Sequence, residues 1–242
     1  QNTRIMENNI KVGLLVIATQ KYDTFLKPLF ETADQYFLKD CDVTYFLFTD
    51  TEKEFPEHNV VKIAHKHKKW PYITLERYHT FFEHKDILRE QDYLFYTDAD
   101  MIFENEVGRE ILSDRVATVH PGIYGGRGNV ETNPNSLAYI APNEPVLYFA
   151  GGFNGGSSSE FLRMSEQISM NVDIDKRNKI IAKWHDESHL NRWFLNNSPT
   201  KILDCGYCYS YSHPRNHEPR LIAIDKNHKE FGNHGEGADE IL

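Results

Sequence analysis

The chain has 242 residues, of which 40% are hydrophobic, 26% charged and 13% aromatic. This composition excludes intrinsic disorder, a collagen-like repeat and a disulfide-stapled mini-protein, and it suits one substantial soluble domain. A formal charge of −9 argues against a sequence-independent grip on nucleic-acid phosphates. No apolar run reaches the roughly 18 residues of a membrane span, and no basic-then-apolar signal pattern opens the chain.

Residues 1–9 are polar and aperiodic and read as a flexible tail. Lys11-Val-Gly-Leu-Leu-Val-Ile-Ala18 is a near-continuous apolar run, the pattern of a buried strand in a parallel sheet. Tyr22–Leu38 carries apolar residues at helical spacing, with Pro28 expected to start or kink the helix. Val43–Thr49 and Val60–Ala64 read as two more strands. Thr74–Glu90 reads as one helix with Leu75, Tyr78, Phe82 and Leu88 inward. Tyr93–Thr97 is a strand that runs into Asp98-Ala-Asp100, so the first hundred residues alternate strand and helix in α/β fashion.

The texture then changes. Short strands are expected at Val116–Val119, Leu137–Ile140 and Val146–Phe149, among loops rich in glycine and proline. Ser157-Ser-Ser-Glu160 is a capping-box pattern opening a helix towards Val172, and a second helix is expected over Asp186–Asn196. The glycine-rich, acidic end 233–242 reads as another flexible tail. We therefore expect a single domain over 10–242, with a nucleotide-type half over 10–100 and a mixed half over 101–232. Three cysteines, Cys41, Cys205 and Cys208, suit a reducing compartment. Cys205-Gly-Tyr-Cys208 has zinc-like spacing but no second cysteine pair, which leaves two small residues in a strand or loop.

Four groups of residues have the chemistry of a site. Asp98 and Asp100, at i and i+2 on what reads as extended backbone, would project together from the carboxyl end of a buried strand. Such a pair is either a surface acidic cluster or a hard-oxygen site for Mn²⁺ or Mg²⁺ on a diphosphate. Asp186 and Glu187 fall at a helix N-terminus, where the macrodipole favours anions. They serve there as simple capping charges or as a carboxylate kept ionised beside a cationic sugar centre. Tyr148-Phe-Ala-Gly-Gly-Phe-Asn-Gly-Gly156 packs four glycines, for close approach to a ligand or for a tight turn. His120-Pro-Gly122 is a strand end with a turn or a substrate-binding edge. Dinucleotide, P-loop, kinase and zinc-protease signatures are absent from the sequence.

Ala18-Thr-Gln-Lys-Tyr22, Tyr93–Asp100, His120-Pro-Gly-Ile-Tyr-Gly125, Tyr148–Gly156, Trp184-His-Asp-Glu-Ser-His-Leu-Asn191 and Lys226-Asn-His228 stand in a telling order. In order and spacing, from about residue 10 to 228, they resemble the family 6 glycosyltransferases, which include the ABO histo-blood-group transferases and the α-1,3-galactosyltransferases. The resemblance implies a GT-A fold and retaining α-1,3 transfer of galactose or N-acetylgalactosamine (GalNAc) from a UDP-sugar. By the same resemblance Tyr22 would stack on uracil, and Ala18 and Thr19 would line the base pocket. Arg77 would hold the donor sugar and the first aspartate, Asp98 and Asp100 would ligate Mn²⁺, with Mg²⁺ as a substitute, and Lys226 would reach the pyrophosphate. Glu187 would lie under the anomeric carbon, Asp186 would bind donor-sugar hydroxyls, and His120 and Trp184 would contact the acceptor.

Bulk at Ala150-Gly151-Gly152 separates galactose from GalNAc in that family. Two glycines here imply preference for UDP-GalNAc over UDP-galactose, and Gly152→Ala is expected to move the ratio towards galactose. Discrimination by one methyl-sized group is worth only about 1–3 kcal/mol, so some cross-use is expected. The chain departs from the Golgi members in having no anchor or stem before residue 10, which with free thiols points to a cytoplasmic, microbial or viral form. Some bacterial relatives carry asparagines where this chain has Asp98 and Asp100, so metal dependence is expected here. The segment 125–134 is shorter than in the blood-group enzymes and lacks their aromatic residues. The lead acceptor is a fucosylated galactose, ahead of a plain β-galactoside. Two alternatives are a metal-dependent hydrolase of UDP-sugars or glycosides, using Asp98, Asp100 and Glu187, and a sugar- or nucleotide-binding module with a dead site.

Overall fold

The first apolar run forms strand β1, Lys11–Ala18, in a computed structural model that describes residues 9–123, 126–213 and 215–226. The two tails expected from the sequence lie outside the described residues, apart from residue 9. A 3-10 turn, Gln20–Phe25, leads into helix α1, Leu26–Tyr36. Pro28 is accommodated in the first turn of α1, where its missing N–H would have no intrahelical acceptor in any case. Strands β2, Asp42–Thr49, and β3, Val60–Ala64, follow as expected.

The expected single helix over 74–90 is instead three short ones: α2, Tyr72–Leu75, α3, Arg77–Glu83, and α4, Lys85–Leu88. Glu76 and His84, at φ −102° and −104°, leave the helical region and break the run. The breaks shift the helical phase, so Phe81 is buried in place of Phe82, which is only partly covered. Strands β4, Tyr93–Thr97, β5, Met101–Phe103, and β6, Arg115–Thr118, come next. Strand β7, Phe153–Ser157, runs into α5, Ser158–Arg177, and α6 spans Asp186–Asn196. Strands β8, Lys201–Leu203, and β9, Leu221–Ala223, complete the described elements.

The main sheet has seven strands in the order β3-β2-β1-β4-β7-β6-β8. All its pairings are parallel except the two made by β7, so β7 alone runs against the others. The sequence reads as a glycine turn where β7 lies, because its glycines serve strand packing. A side chain at Gly155 would meet the Phe95 ring at 2.3 Å, and one at Gly156 would meet the Asp114 carbonyl at 2.1 Å. Apolar residues cover both faces of the sheet, as parallel strands demand. Val12, Leu14 and Val16 pack with Phe30 and Phe37 on one side. On the other, Leu15, Phe46 and Phe48 pack with Phe81, Phe161 and Leu190. This is the mostly parallel α/β architecture of a single-domain, GT-A-like glycosyltransferase fold.

Leu137–Ile140 and Val146–Phe149 do not form strands. They contribute only isolated bridges, Glu131 to Tyr139 and Val119 to Phe149, and side chains of α5 and α6 bind the Leu137 N–H, the Tyr139 carbonyl and both backbone groups of Phe149. Ser157 does precede α5, yet its buried hydroxyl has no partner among the described residues. Glu160 turns to Arg115 and Arg163 instead of closing a capping box. Among the described residues no helix is long and apolar enough to cross a membrane.

Candidate active site

Strand β1 has β2 on one side and β4 on the other, so the chain reverses its direction of travel across the sheet at the β1–β4 pair. The carboxyl ends of such neighbours form the crevice in which open α/β sheets bind ligands. Ala18 and Thr19 end β1 at this crevice, with Thr19 Oγ1 2.8 Å from His67 Nδ1, and the Tyr22 N–H donates to the Thr19 carbonyl. Asp98 and Asp100 follow β4. They occupy a tight turn between β4 and β5, which corrects the extended backbone expected for them.

Asp98 is held by its neighbours. Its Oδ1 accepts from the Tyr96 hydroxyl at 2.6 Å and from the Arg77 guanidinium at 3.3 Å. Arg77, at the start of α3, is buried and also pairs with Asp186 at 3.2 Å, while its guanidinium lies 4.4 Å from the centre of the Tyr96 ring. Burial opposes its charge, but Asp186, Tyr96 and Asp98 more than offset this and keep it protonated. One cation thus ties the end of β4 to the head of α6. Asp100 is engaged from the far end of the chain. Strand β9 pairs with β5, the Ile224 N–H donates to the Asp100 carbonyl at 2.7 Å, and Lys226 then ion-pairs with the Asp100 carboxylate. The same ammonium lies 4.9 Å from the centre of the Tyr22 ring. The three-residue strands that deliver Lys226 are too short for any periodicity to reveal.

At the head of α6, His185 adopts φ 54° and ψ −124°, a conformation a residue with a Cβ rarely takes. Its ring packs edge-on to Trp70 at 5.0 Å. This corner starts the helix abruptly and leaves Asp186 and Glu187 in its first turn, on the positive end of the dipole. Both Glu187 oxygens are taken: Oε1 accepts from the Tyr148 hydroxyl at 2.6 Å, and Oε2 from the Gly151 N–H at 2.8 Å. Asn191, one turn on, binds both the N–H and the carbonyl of Phe149, fixing the 148–151 segment against α6. Burial pushes the Glu187 carboxyl up to about 7; the Tyr148 and Gly151 hydrogen bonds pull it down, and Asp186 and Asp98 add to the rise. Asp186 is raised to about 6, again by burial first, with Arg77 opposing.

The structure thus brings Arg77, Asp98, Gly151, Asp186 and Glu187 together, and joins Tyr22, Asp100 and Lys226. His120 lies beside this group, its ring 5.6 Å from that of Tyr148, and its N–H bonds the Tyr148 carbonyl. Ala150 is buried, with its N–H on Thr118, and Gly152 meets Asp98 through its carbonyl, which accepts the Asp98 N–H. Trp184 is not drawn in: its backbone N–H bonds Ser188 Oγ, while the residue is 46% exposed. Tyr124, Gly125, Asn227 and His228 of the recognised segments lie outside the described residues. Sequence reasoning missed Tyr96, Tyr148 and Cys208. Tyr148 stood in a singled-out run but was hidden by its glycines, and Cys208 sat in a pair whose sulfurs remain free thiols.

The sequence profile of glycosyltransferase family 6 matches residues 2–234. The chain belongs to that family. It is 35% identical to histo-blood group ABO system transferase 1 of Rattus norvegicus, over 96% of this chain and 71% of that one. It is 34% identical to globoside α-1,3-N-acetylgalactosaminyltransferase 1 of Gallus gallus, over 94% and 71%. The O-antigen biosynthesis glycosyltransferase WbnI of Escherichia coli is 27% identical, over 92% of this chain and 98% of its own length. A family 6 member with these relatives is a glycosyltransferase, specifically a hexosyltransferase. It takes a nucleotide-sugar donor and a glycan acceptor.

The residues at the β4–β5 turn fit a hard divalent cation. Asp98 keeps Oδ2 without a hydrogen-bond donor among the described residues, and Asp100 is its neighbour two residues on. No group of three or more protein ligands occurs among the described residues. Two carboxylates suffice where phosphate oxygens and water complete the shell, the usual arrangement for Mg²⁺-like ions on nucleotides.

Proposed function

We propose that this enzyme transfers GalNAc, and galactose less well, from its UDP-sugar to the 3-hydroxyl of a galactoside, with retention of the α configuration. The preferred acceptor is a fucosylated galactose (Fucα1-2Gal). The observation that carries the proposal is Glu187: a buried carboxylate with both oxygens oriented, beside an Arg77 that balances Asp98 and Asp186. In transfer, the bond from the anomeric carbon to UDP breaks, and the acceptor oxygen bonds that carbon as its proton leaves with the diphosphate or water. Glu187 faces the electron-poor carbon, by attack or by electrostatic stabilisation.

Each remaining residue has a place in this reading. Tyr22, Ala18 and Thr19 receive the uracil, while Arg77, Asp186, Ala150, Gly151 and Gly152 surround the donor sugar. Lys226 turns from Asp100 to the pyrophosphate, and His120 and Trp184 meet the acceptor. Asp98 and Asp100 would hold Mn²⁺ or Mg²⁺, which when bound offsets charge on the departing diphosphate. Residues 10–100 then form the nucleotide side and 101–232 the sugar and acceptor side. UDP release with UDP-GalNAc and UDP-galactose, with and without 2′-fucosyllactose, tests the proposal. Release that is faster with UDP-GalNAc, stimulated by the acceptor and abolished by EDTA is the expected result. Release that no galactoside stimulates would sink the acceptor assignment and favour hydrolysis.

A further inference from the structure

Gly152 stands where three chain segments meet: the end of β4, the start of β7, and the 3-10 turn Cys205–Tyr207 that delivers Cys208. A Cβ at position 152 would fall 2.9 Å from Asp98 Oδ2 and 2.9 Å from the Cys208 sulfur. Both contacts are closer than a methyl group tolerates, so a side chain there requires one of the two walls to move. The carboxylate wall is fixed, since Asp98 Oδ1 is already held by Tyr96 and Arg77. Glycine and sulfur therefore lie directly against one another. At Gly151 the case differs: a Cβ would meet Glu187 at 3.3 Å, tight but without such overlap.

We infer that Cys208 is a specificity-determining residue: its thiol is the yielding wall behind Gly152, and its size decides which residue position 152 accepts. The inference rests on the donor reading above and deepens it. Residue 152 governs donor choice through Asp98 and Cys208 together, not through its own bulk alone. With Asp98 fixed and the thiol in place, alanine at 152 in the native background is wedged between the two and damages the site for both donors. The shift towards galactose expected of Gly152→Ala emerges only when Cys208 is trimmed as well.

The test compares native enzyme, Gly152→Ala, Cys208→Ala and the double variant. Three quantities are read: kcat/KM for UDP-GalNAc and for UDP-galactose, the Kd of UDP without metal by calorimetry, and Tm. Overpacking predicts that Gly152→Ala loses about tenfold or more with both donors and that its UDP affinity weakens. The double variant is expected to regain most of that loss and to use UDP-galactose relatively better than Cys208→Ala does. A Gly152→Ala enzyme that switches to galactose at full activity would overturn the inference, as would a double variant no better than Gly152→Ala. Should Gly152→Ala not fold, Cys208→Leu enlarges the same wall with glycine kept. It is expected to lower kcat/KM with both donors, and unchanged values would overturn the inference. If native enzyme prefers UDP-galactose, the donor reading fails on its own, while the ordering of the variants still decides the role of Cys208.

Discussion

Asp98 and Asp100 stand at the end of a strand paired by backbone hydrogen bonds on both sides, whereas residues 126–147 hang on side chains. In that second region Arg127 binds the carbonyls of Ala141 and Glu144, and Glu131 accepts from the Asn133 and Lys183 N–H groups. Buried Asp175 of α5 accepts from Ser136 and Leu137, and Arg192 of α6 binds Glu144 and the Tyr139 carbonyl. The end of a central strand braced by Arg77 between Asp98 and Asp186 resists displacement. A loop held by a few polar side chains can be re-set by substituting one of them. On the function proposed above, the first arrangement suits the nucleotide-sugar donor and the second the glycan acceptor.

The largest effect is expected at Arg77. Arg77→Met keeps bulk but leaves buried Asp186, and partly exposed Asp98, without their shared cation. Breaking a buried pair from one side costs about 3–5 kcal/mol, measurable by urea denaturation, and transfer should be lost with it. A loss below about 1 kcal/mol, the range of surface pairs, would mean that the cluster is effectively solvated and the contrast between the regions unfounded.

Next comes the proton on Glu187. Its carboxyl rises from 4.5 to about 7 on folding, so between those values the native state holds a proton that the unfolded chain has lost. Stability therefore falls as pH rises through this window. Metal-free Glu187→Gln should show a higher Tm than native enzyme at pH 8 and little difference at pH 4. Its transfer activity should be all but abolished. Tyr148→Phe removes a hydrogen bond that favours the ionised carboxylate, so the acid limb of the pH–rate profile should move to higher pH. An unmoved limb would show that Glu187 is not the group titrating in the rate.

Much of this was legible in the sequence, for identifiable reasons. Strand β1 and helix α6 were read at their observed bounds because an unbroken apolar run and a clean helical period end at polar breaks. Asp186 and Glu187 read as anions at a helix start from their position, while a role for them in a site is implied by the family resemblance and not by that position. What was missed depends on distant partners. Phe81 replaces Phe82 because the helix breaks at Glu76, and β7 hides in glycines whose use is seen only against Phe95 and Asp114. Strands β5, β8 and β9 are three residues each, too short for a period. Tyr148 and Cys208 join the site through contacts 39 residues away in one case, at Glu187, and 56 residues away in the other, at Gly152.

The smallest effect should come from the loop. Arg192 and Glu144 pair at 2.9 Å with both side chains partly in water, so Arg192→Met should scarcely move Tm. It does, however, free the Tyr139 carbonyl and the Glu144 carboxylate that also caps the Ala141 N–H, and the segment packed under Tyr148 loosens. If that segment bounds the acceptor, KM for the acceptor rises severalfold while KM for the UDP-sugar stays put, because nothing in the β1–β4 crevice has moved. Equal rises in both constants would erase the distinction drawn between the regions, since a loop that disturbs the donor is part of the donor site.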